Sequence, residues 1–109
     1  MPVAAPVNGG VLAFGSPVSG TLEPKQSLVY YFDGSQNETI TLDVTTETAT
    51  SDFSLTLLSP NGRAYLRIDQ GQAGEPESYT ISLPENGRWG IVLSEFFDEG
   101  GRYTLTISR

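Results

Sequence analysis

Asp52-Phe53-Ser54-Leu55-Thr56-Leu57-Leu58-Ser59-Pro60-Asn61-Gly62 decides the fold of this chain. Phe53, Leu55 and Leu57 alternate with Ser54 and Thr56, the period of two that puts one side of a strand in a core and the other in water. Ser59-Pro60-Asn61-Gly62 then ends the strand in a turn, because proline pre-sets φ and Asn-Gly accepts the positive φ that other residues resist. The same sequence of signals returns. Pro84-Glu85-Asn86-Gly87 precedes Trp89-Gly90-Ile91-Val92-Leu93, and Gly100-Gly101 precedes Tyr103-Thr104-Leu105-Thr106-Ile107.

Outward from this stretch, further strands are expected at residues 11–14, 17–22, 28–32, 39–44, 64–68 and 79–83. Ile40, Leu42 and Val44 point inward in the cleanest of them. Tyr30 and Phe32 share one face of theirs, and Val29 and Tyr31 share the other. In 64–68, Ala64, Leu66 and Ile68 fall on one face, Tyr65 and Arg67 on the other. No window has a period of 3.6, and turn residues recur about every 8–12 positions. The expectation is an all-β fold: a two-sheet antiparallel β-sandwich of about eight short strands.

The chain has 109 residues, the size of one domain. Residues 1–10 read as a linker or N-terminal tail and 11–109 as the sandwich. Met1-Pro2-Val3-Ala4-Ala5-Pro6 has neither the basic nor the long apolar region of a signal peptide, so export would rest on a segment outside this chain. There is no cysteine and no histidine, and the net charge is −7. Without them the chain has no disulfide framework, no thiolate or imidazole metal ligand and no Ser-His or Cys-His nucleophile pair. An acidic surface repels nucleic acid and anionic lipid, and neither nucleic acid nor membrane insertion is expected. No nucleophile elbow or phosphate loop occurs, and the chain is expected not to be an enzyme. Asn37-Glu38-Thr39 fits a glycosylation sequon, but Asn37 is read as a turn residue.

The order of these signals resembles the bacterial pre-peptidase C-terminal (PPC) domain family. The matching pieces are Gly20-Thr21-Leu22, Tyr30-x-Phe32, Thr39-Ile40-Thr41-Leu42, Asp52-Phe53-x-Leu55-x-Leu57 with Pro60-Asn61-Gly62, Glu77-Ser78, Pro84 through Gly87 to Trp89, and Gly101-x-Tyr103-Thr104-Leu105-Thr106-Ile107. They run over about residues 15 to 108. One position departs: the aspartate that the family carries before its Tyr-x-Phe strand is Leu28 here. The resemblance implies jelly-roll-like topology and a non-catalytic accessory domain of a secreted or surface-attached bacterial protein, covalently joined to a peptidase or another extracellular enzyme. Its role would be binding to a substrate, matrix or surface, or assistance in maturation. The alternative is a structural spacer of a large extracellular protein with no ligand of its own. Related sandwiches bind calcium.

Two sets of residues carry these expectations. Asp52, Asp69, Glu75 and Glu77 are the candidate calcium ligands, since calcium takes carboxylate oxygens; turn bonding and solvated loop charge are the alternative account. Asp98 and Glu99 form another acidic pair. Tyr31, Tyr65 and Arg67 are expected outward as a platform for a polysaccharide or matrix protein. Phe96 and Phe97 are adjacent and cannot both point inward from a regular strand, so one is expected as a contact residue unless a bulge tucks both under the sandwich edge. Trp89 falls on the inward set with Ile91 and Leu93. Tyr103 is read as core, with its hydroxyl at the rim.

Overall fold

The computed structural model describes residues 7–47, 50–69, 74–97 and 99–109. The remainder of the N-terminal tail, parts of the 45–51 and 69–77 loops and Asp98 lie outside the described residues. Nine strands are present: β1 (Val7–Val11), β2 (Val18–Leu22), β3 (Leu28–Gly34), β4 (Thr39–Thr46), β5 (Phe53–Leu58), β6 (Ala64–Ile68), β7 (Glu77–Ser82), β8 (Gly87–Glu95) and β9 (Gly101–Ser108). They form a five-stranded sheet in the order β1-β3-β8-β5-β6 and a four-stranded sheet in the order β2-β9-β4-β7. All pairs are antiparallel except β1 with β3. Consecutive strands lie in opposite sheets at every step but one, the β5–β6 hairpin.

The alternation is realised as written. Ile40, Leu42, Val44, Phe53, Leu55, Leu57, Trp89, Ile91, Leu93, Tyr103, Leu105 and Ile107 are all buried in one cluster between the sheets. Burying each such side chain contributes roughly 1.5–3 kcal/mol before conformational entropy is deducted. The outer face of the four-stranded sheet is a field of hydroxyls, with Ser19 paired to Thr104 at 2.9 Å and Thr41 to Thr80 at 2.8 Å. The β5–β6 turn closes through Gly62 N–H to the Ser59 carbonyl at 2.8 Å, with Gly62 at φ 85°.

Three local expectations are corrected. The first strand is Val7–Val11 rather than residues 11–14: Gly9 lets the backbone approach the Tyr30 ring, from which a Cβ there would sit 2.6 Å, and Gly10 takes a φ of 107°. In β6 the register shifts between Leu57 and Leu58, so that Leu57 faces Leu66 and Leu58 faces Ala64. Tyr65 is the unpaired residue of a β-bulge, and Ala64 is exposed rather than inward. The Tyr103 hydroxyl does not reach the rim. It meets the Tyr30 hydroxyl at 2.5 Å inside the core, one tyrosine from each sheet.

Candidate functional site

The alternation of β8 places Trp89, Ile91, Leu93 and then Glu95 on the inward face. Glu95 is 4% exposed, a carboxylate at the buried end of a hydrophobic row. It is satisfied by the chain that turns around it. Its Oε2 accepts the backbone N–H of Asp52 at 3.1 Å and of Phe97 at 2.9 Å; its Oε1 accepts those of Glu99 at 2.8 Å and Gly100 at 3.1 Å. Burial pushes the Glu95 carboxyl up, but the N–H donors of Phe97, Asp52, Glu99 and Gly100 together hold it below its ordinary value. Gly100 is required at the end of this turn. Its φ is +76°, and a Cβ there would lie 2.0 Å from the Leu22 carbonyl oxygen.

The turn built on Glu95 displays Phe96 and Phe97. Neither is tucked under the sandwich edge: they are 63% and 52% exposed, with ring centroids 5.0 Å apart and planes at 87°. Phe96 N–H donates to the Asp52 carbonyl at 2.8 Å, which ties the turn to the start of β5.

Asp52 is held from several sides. Beside its own two backbone bonds, the Ser51 carbonyl accepts Gly74 N–H at 2.7 Å and the Ser51 hydroxyl donates to the Gly100 carbonyl at 2.7 Å. Asp52 precedes β5, Asp69 follows β6 and Glu77 opens β7. The fold brings these three expected ligands together, with a carboxylate oxygen of each within 4.8 Å of the others. Glu77 is 1% exposed, and Asp69 is half a loose ion pair with Arg67 at 3.6 Å. Burial, and then Asp69, Glu77, Glu95 and Glu75, raise the Asp52 carboxyl above its ordinary value. Two unit charges 4.8 Å apart repel by about 3–4 kcal/mol at an effective dielectric of about 20. Asp52 Oδ1 is fully buried and has no hydrogen-bond partner among the described residues. Three oxygens with these separations fit the surface of a sphere of calcium's ligand radius, about 2.3–2.6 Å. The donor set therefore fits the calcium that the family resemblance implies. The fourth expected ligand, Glu75, is exposed on the loop before β7.

The expected tyrosine platform is not assembled. Tyr31 on β3 and Tyr65 on β6 are separated by β8 and β5, three strand spacings or about 14 Å. Tyr31 is half-buried and lies over Gly90, where a Cβ would be 3.5 Å from its ring. Tyr65 and Arg67 are exposed, as expected, but Tyr65 packs edge-to-face on Trp89, centroids 5.6 Å apart, and Arg67 pairs with Asp69. The residue that sequence reasoning passed over is Glu95. Its signal was present: an acid on the inward register of β8, directly before two aromatics and a Gly-Gly pair.

A concavity of about 260 Å³ lies over β2, β9 and β4 and is lined by Ser19, Thr21, Thr45 and Thr104 beside Arg102. Arg102 pairs with Glu47 at 3.7 Å, both exposed.

Residues 26–95 match the sequence model of the bacterial pre-peptidase C-terminal domain. The chain belongs to the PPC family. PPC domains are accessory domains associated with bacterial peptidases and are generally non-catalytic. Among solved structures, this PPC domain is similar to the pre-peptidase C-terminal domain of a collagenase from Bacillus anthracis, with TM-score 0.73 and 13% identity over 95% of each chain. It is also similar to a surface-associated copper-binding protein of Methylomicrobium album, with TM-score 0.71 and 13% identity over 95% of this chain and 99% of that one. A periplasmic inhibitor of g-type lysozyme from Aeromonas hydrophila aligns with TM-score 0.69 and 14% identity over 95% and 98%. At such identities these likenesses speak for the fold alone. No curated protein matches the chain in sequence.

Proposed function

We propose that this PPC domain is a non-catalytic binding module of a secreted or surface-attached bacterial protein, and that it holds its parent against an insoluble matrix through the Phe96–Phe97 turn. One observation carries the reading. A buried glutamate is committed to four backbone N–H groups, and the outcome is a fixed turn that exposes two large apolar rings side by side. Exposing both rings costs solvation free energy that tucking either of them would recover, so the display itself is the selected feature. Rigid aromatics make efficient contacts because little rotamer freedom is lost on binding. A spacer needs no such turn. The compartment reading is supported by structural neighbours described as periplasmic or surface-associated. A covalently linked enzyme, a peptidase above all, is the partner that the family membership favours.

The test is retention of the purified domain on insoluble collagen, cellulose, chitin and peptidoglycan. Saturable retention on one of these is expected. The double variant Phe96→Ala, Phe97→Ala should lose it at least about tenfold, since central aromatic contacts are each worth about 2 kcal/mol or more. Its unfolding midpoint should stay within about 2 °C of the parent, because neither ring is in the core. Retention on none of the four matrices, or retention indifferent to the double substitution, would move the assignment to the spacer or maturation role.

A further inference from the structure

We propose that β7 is a docking edge for a second copy of this chain, pairing antiparallel with its own counterpart about a two-fold axis at Thr80. The four-stranded sheets of the two copies then run on as one continuous sheet. The sandwich has four edge strands, and three of them are blunted. β1 carries a register shift and two glycines. β2 has five residues and directly follows Pro17. β6 is bulged and presents the exposed Arg67. Proteins use such devices to keep sheet edges from pairing with other chains. β7 has none of them. It runs in unbroken register with β4 from Glu77 to Ser82, without glycine, proline or bulge. Its one charged residue, Glu77, is buried at its start.

Leu83 N–H donates to the Glu38 carbonyl at 2.9 Å, on the β4 side. Backbone groups alternate sides along a strand, so those of Ser78, Thr80 and Ser82 point away from β4. The side-chain pairs Thr80–Thr41 at 2.8 Å and Ser78–Asp43 at 2.6 Å agree, because side chains come closest where opposed residues exchange no backbone bonds. Among the described residues, nothing pairs with these outward N–H and C=O groups. The flanking sequence names the occupant. Pro76-Glu77-Ser78-Tyr79-Thr80-Ile81-Ser82-Leu83-Pro84 is nearly symmetric in residue character about Thr80. Turned antiparallel on itself, it sets Thr80 against Thr80, Ser78 against Ser82 and Tyr79 against Ile81. The outward backbone groups then meet in three pairs that each exchange two bonds. Pro76 and Pro84, which cannot donate, fall opposite each other at the ends of the ladder. The next register in either direction sets a proline against Ser78 or Ser82 and loses a bond. Tyr79 and Ile81 are half-buried, whereas their β4 neighbours Leu42 and Ile40 are fully buried. The second copy's Ile81 and Tyr79 cover that remaining apolar rim. No like charges are opposed, since Glu77 faces Leu83. The edge is short and each copy carries −7, so the expected dimer is weak, with a dissociation constant on the order of 0.1 mM, and is strengthened by salt.

The inference does not depend on what the phenylalanines bind. The experiment is sedimentation equilibrium of the full chain up to about 1 mM, at low and high salt. It compares the parent with Thr80→Lys, Thr80→Glu and the double variant Phe96→Ala, Phe97→Ala. The parent should pass from monomer to dimer, at least about threefold more tightly in high salt. Thr80→Lys and Thr80→Glu should each weaken dimerisation at least about tenfold, because like charges meet on the axis. An equimolar mixture of the two should recover the parent's association, since lysine then faces glutamate. Only a contact in which position 80 meets itself behaves in this way. Both substitutions lie on the exposed face, so unfolding midpoints should stay within about 4 °C of the parent. The double phenylalanine variant should dimerise as the parent does. A parent that remains monomeric at about 1 mM would overturn the proposal. So would a dimer indifferent to the Thr80 substitutions, a mixture that fails to recover it, or a dimer lost with the phenylalanines.

Discussion

Glu95 is where a single residue has most influence. In Glu95→Gln an amide nitrogen replaces one acceptor oxygen and faces two N–H donors, so two charge-assisted bonds are lost and a donor clash is created. The expected cost is about 2–4 kcal/mol in denaturant unfolding at pH 7. The pH dependence follows from the direction of the shift. A carboxyl held below its ordinary value contributes stability that is complete above the unfolded value of 4.5 and is lost as pH falls through the folded value. Asp52, the charged neighbour it faces, is shifted the opposite way, in part by Glu95 itself, so the parent-minus-variant difference reports Glu95 together with the relief of Asp52. That difference should narrow between pH 5 and pH 3; a constant gap would mean that the turn depends on shape alone. The Tyr30–Tyr103 hydroxyl pair allows a second check. Burial and the Tyr30 hydroxyl raise the Tyr103 phenol above its ordinary value. Tyr103→Phe strands one buried hydroxyl and should cost about 1–3 kcal/mol, whereas the double change Tyr30→Phe, Tyr103→Phe should cost less than the sum of the singles.

At the scale of the element, β6 shows how a bulge changes a residue's work. Tyr65 is exposed, as expected of it and of Arg67, yet at the shift opposite Leu57 and Leu58 its ring also packs edge-to-face on Trp89, the only tryptophan. Tyr65→Ala should therefore destabilise the domain by about 1–2 kcal/mol and shift Trp89 emission to the red, neither of which a freely exposed tyrosine would do. The β5–β6 turn was legible from Pro60-Asn61-Gly62 alone because its chemistry is local. The β6 bulge was not, since nothing in 64–68 marks which residue goes unpaired. β1 was missed for a related reason. Two of its five residues are glycines, which have no side chain to alternate, and what calls for Gly9 is the Tyr30 ring of another strand.

The whole molecule is built from pairings distant in sequence. β9, the last strand, lies between β2 and β4 inside the four-stranded sheet, and Val18 pairs with Leu105. A chain ending at Gly100 should show no cooperative unfolding transition by circular dichroism, while the full chain should unfold in one step and refold in milliseconds to seconds, as pairings of this range dictate. The sequence by itself determined the all-β class, the sandwich, most strand positions and the core set from Ile40 to Ile107. Each of these follows from the period of two and from turn residues, signals contained within a few neighbours. It also supplied the acidic residues as separate candidates. Only the tertiary structure decided that Asp52, Asp69 and Glu77 converge while Tyr31 and Tyr65 stand apart, and that both phenylalanines are displayed. Those outcomes depend on sheet order, a bulge and the four N–H groups gathered on Glu95, and each is a contact between segments that no local pattern encodes.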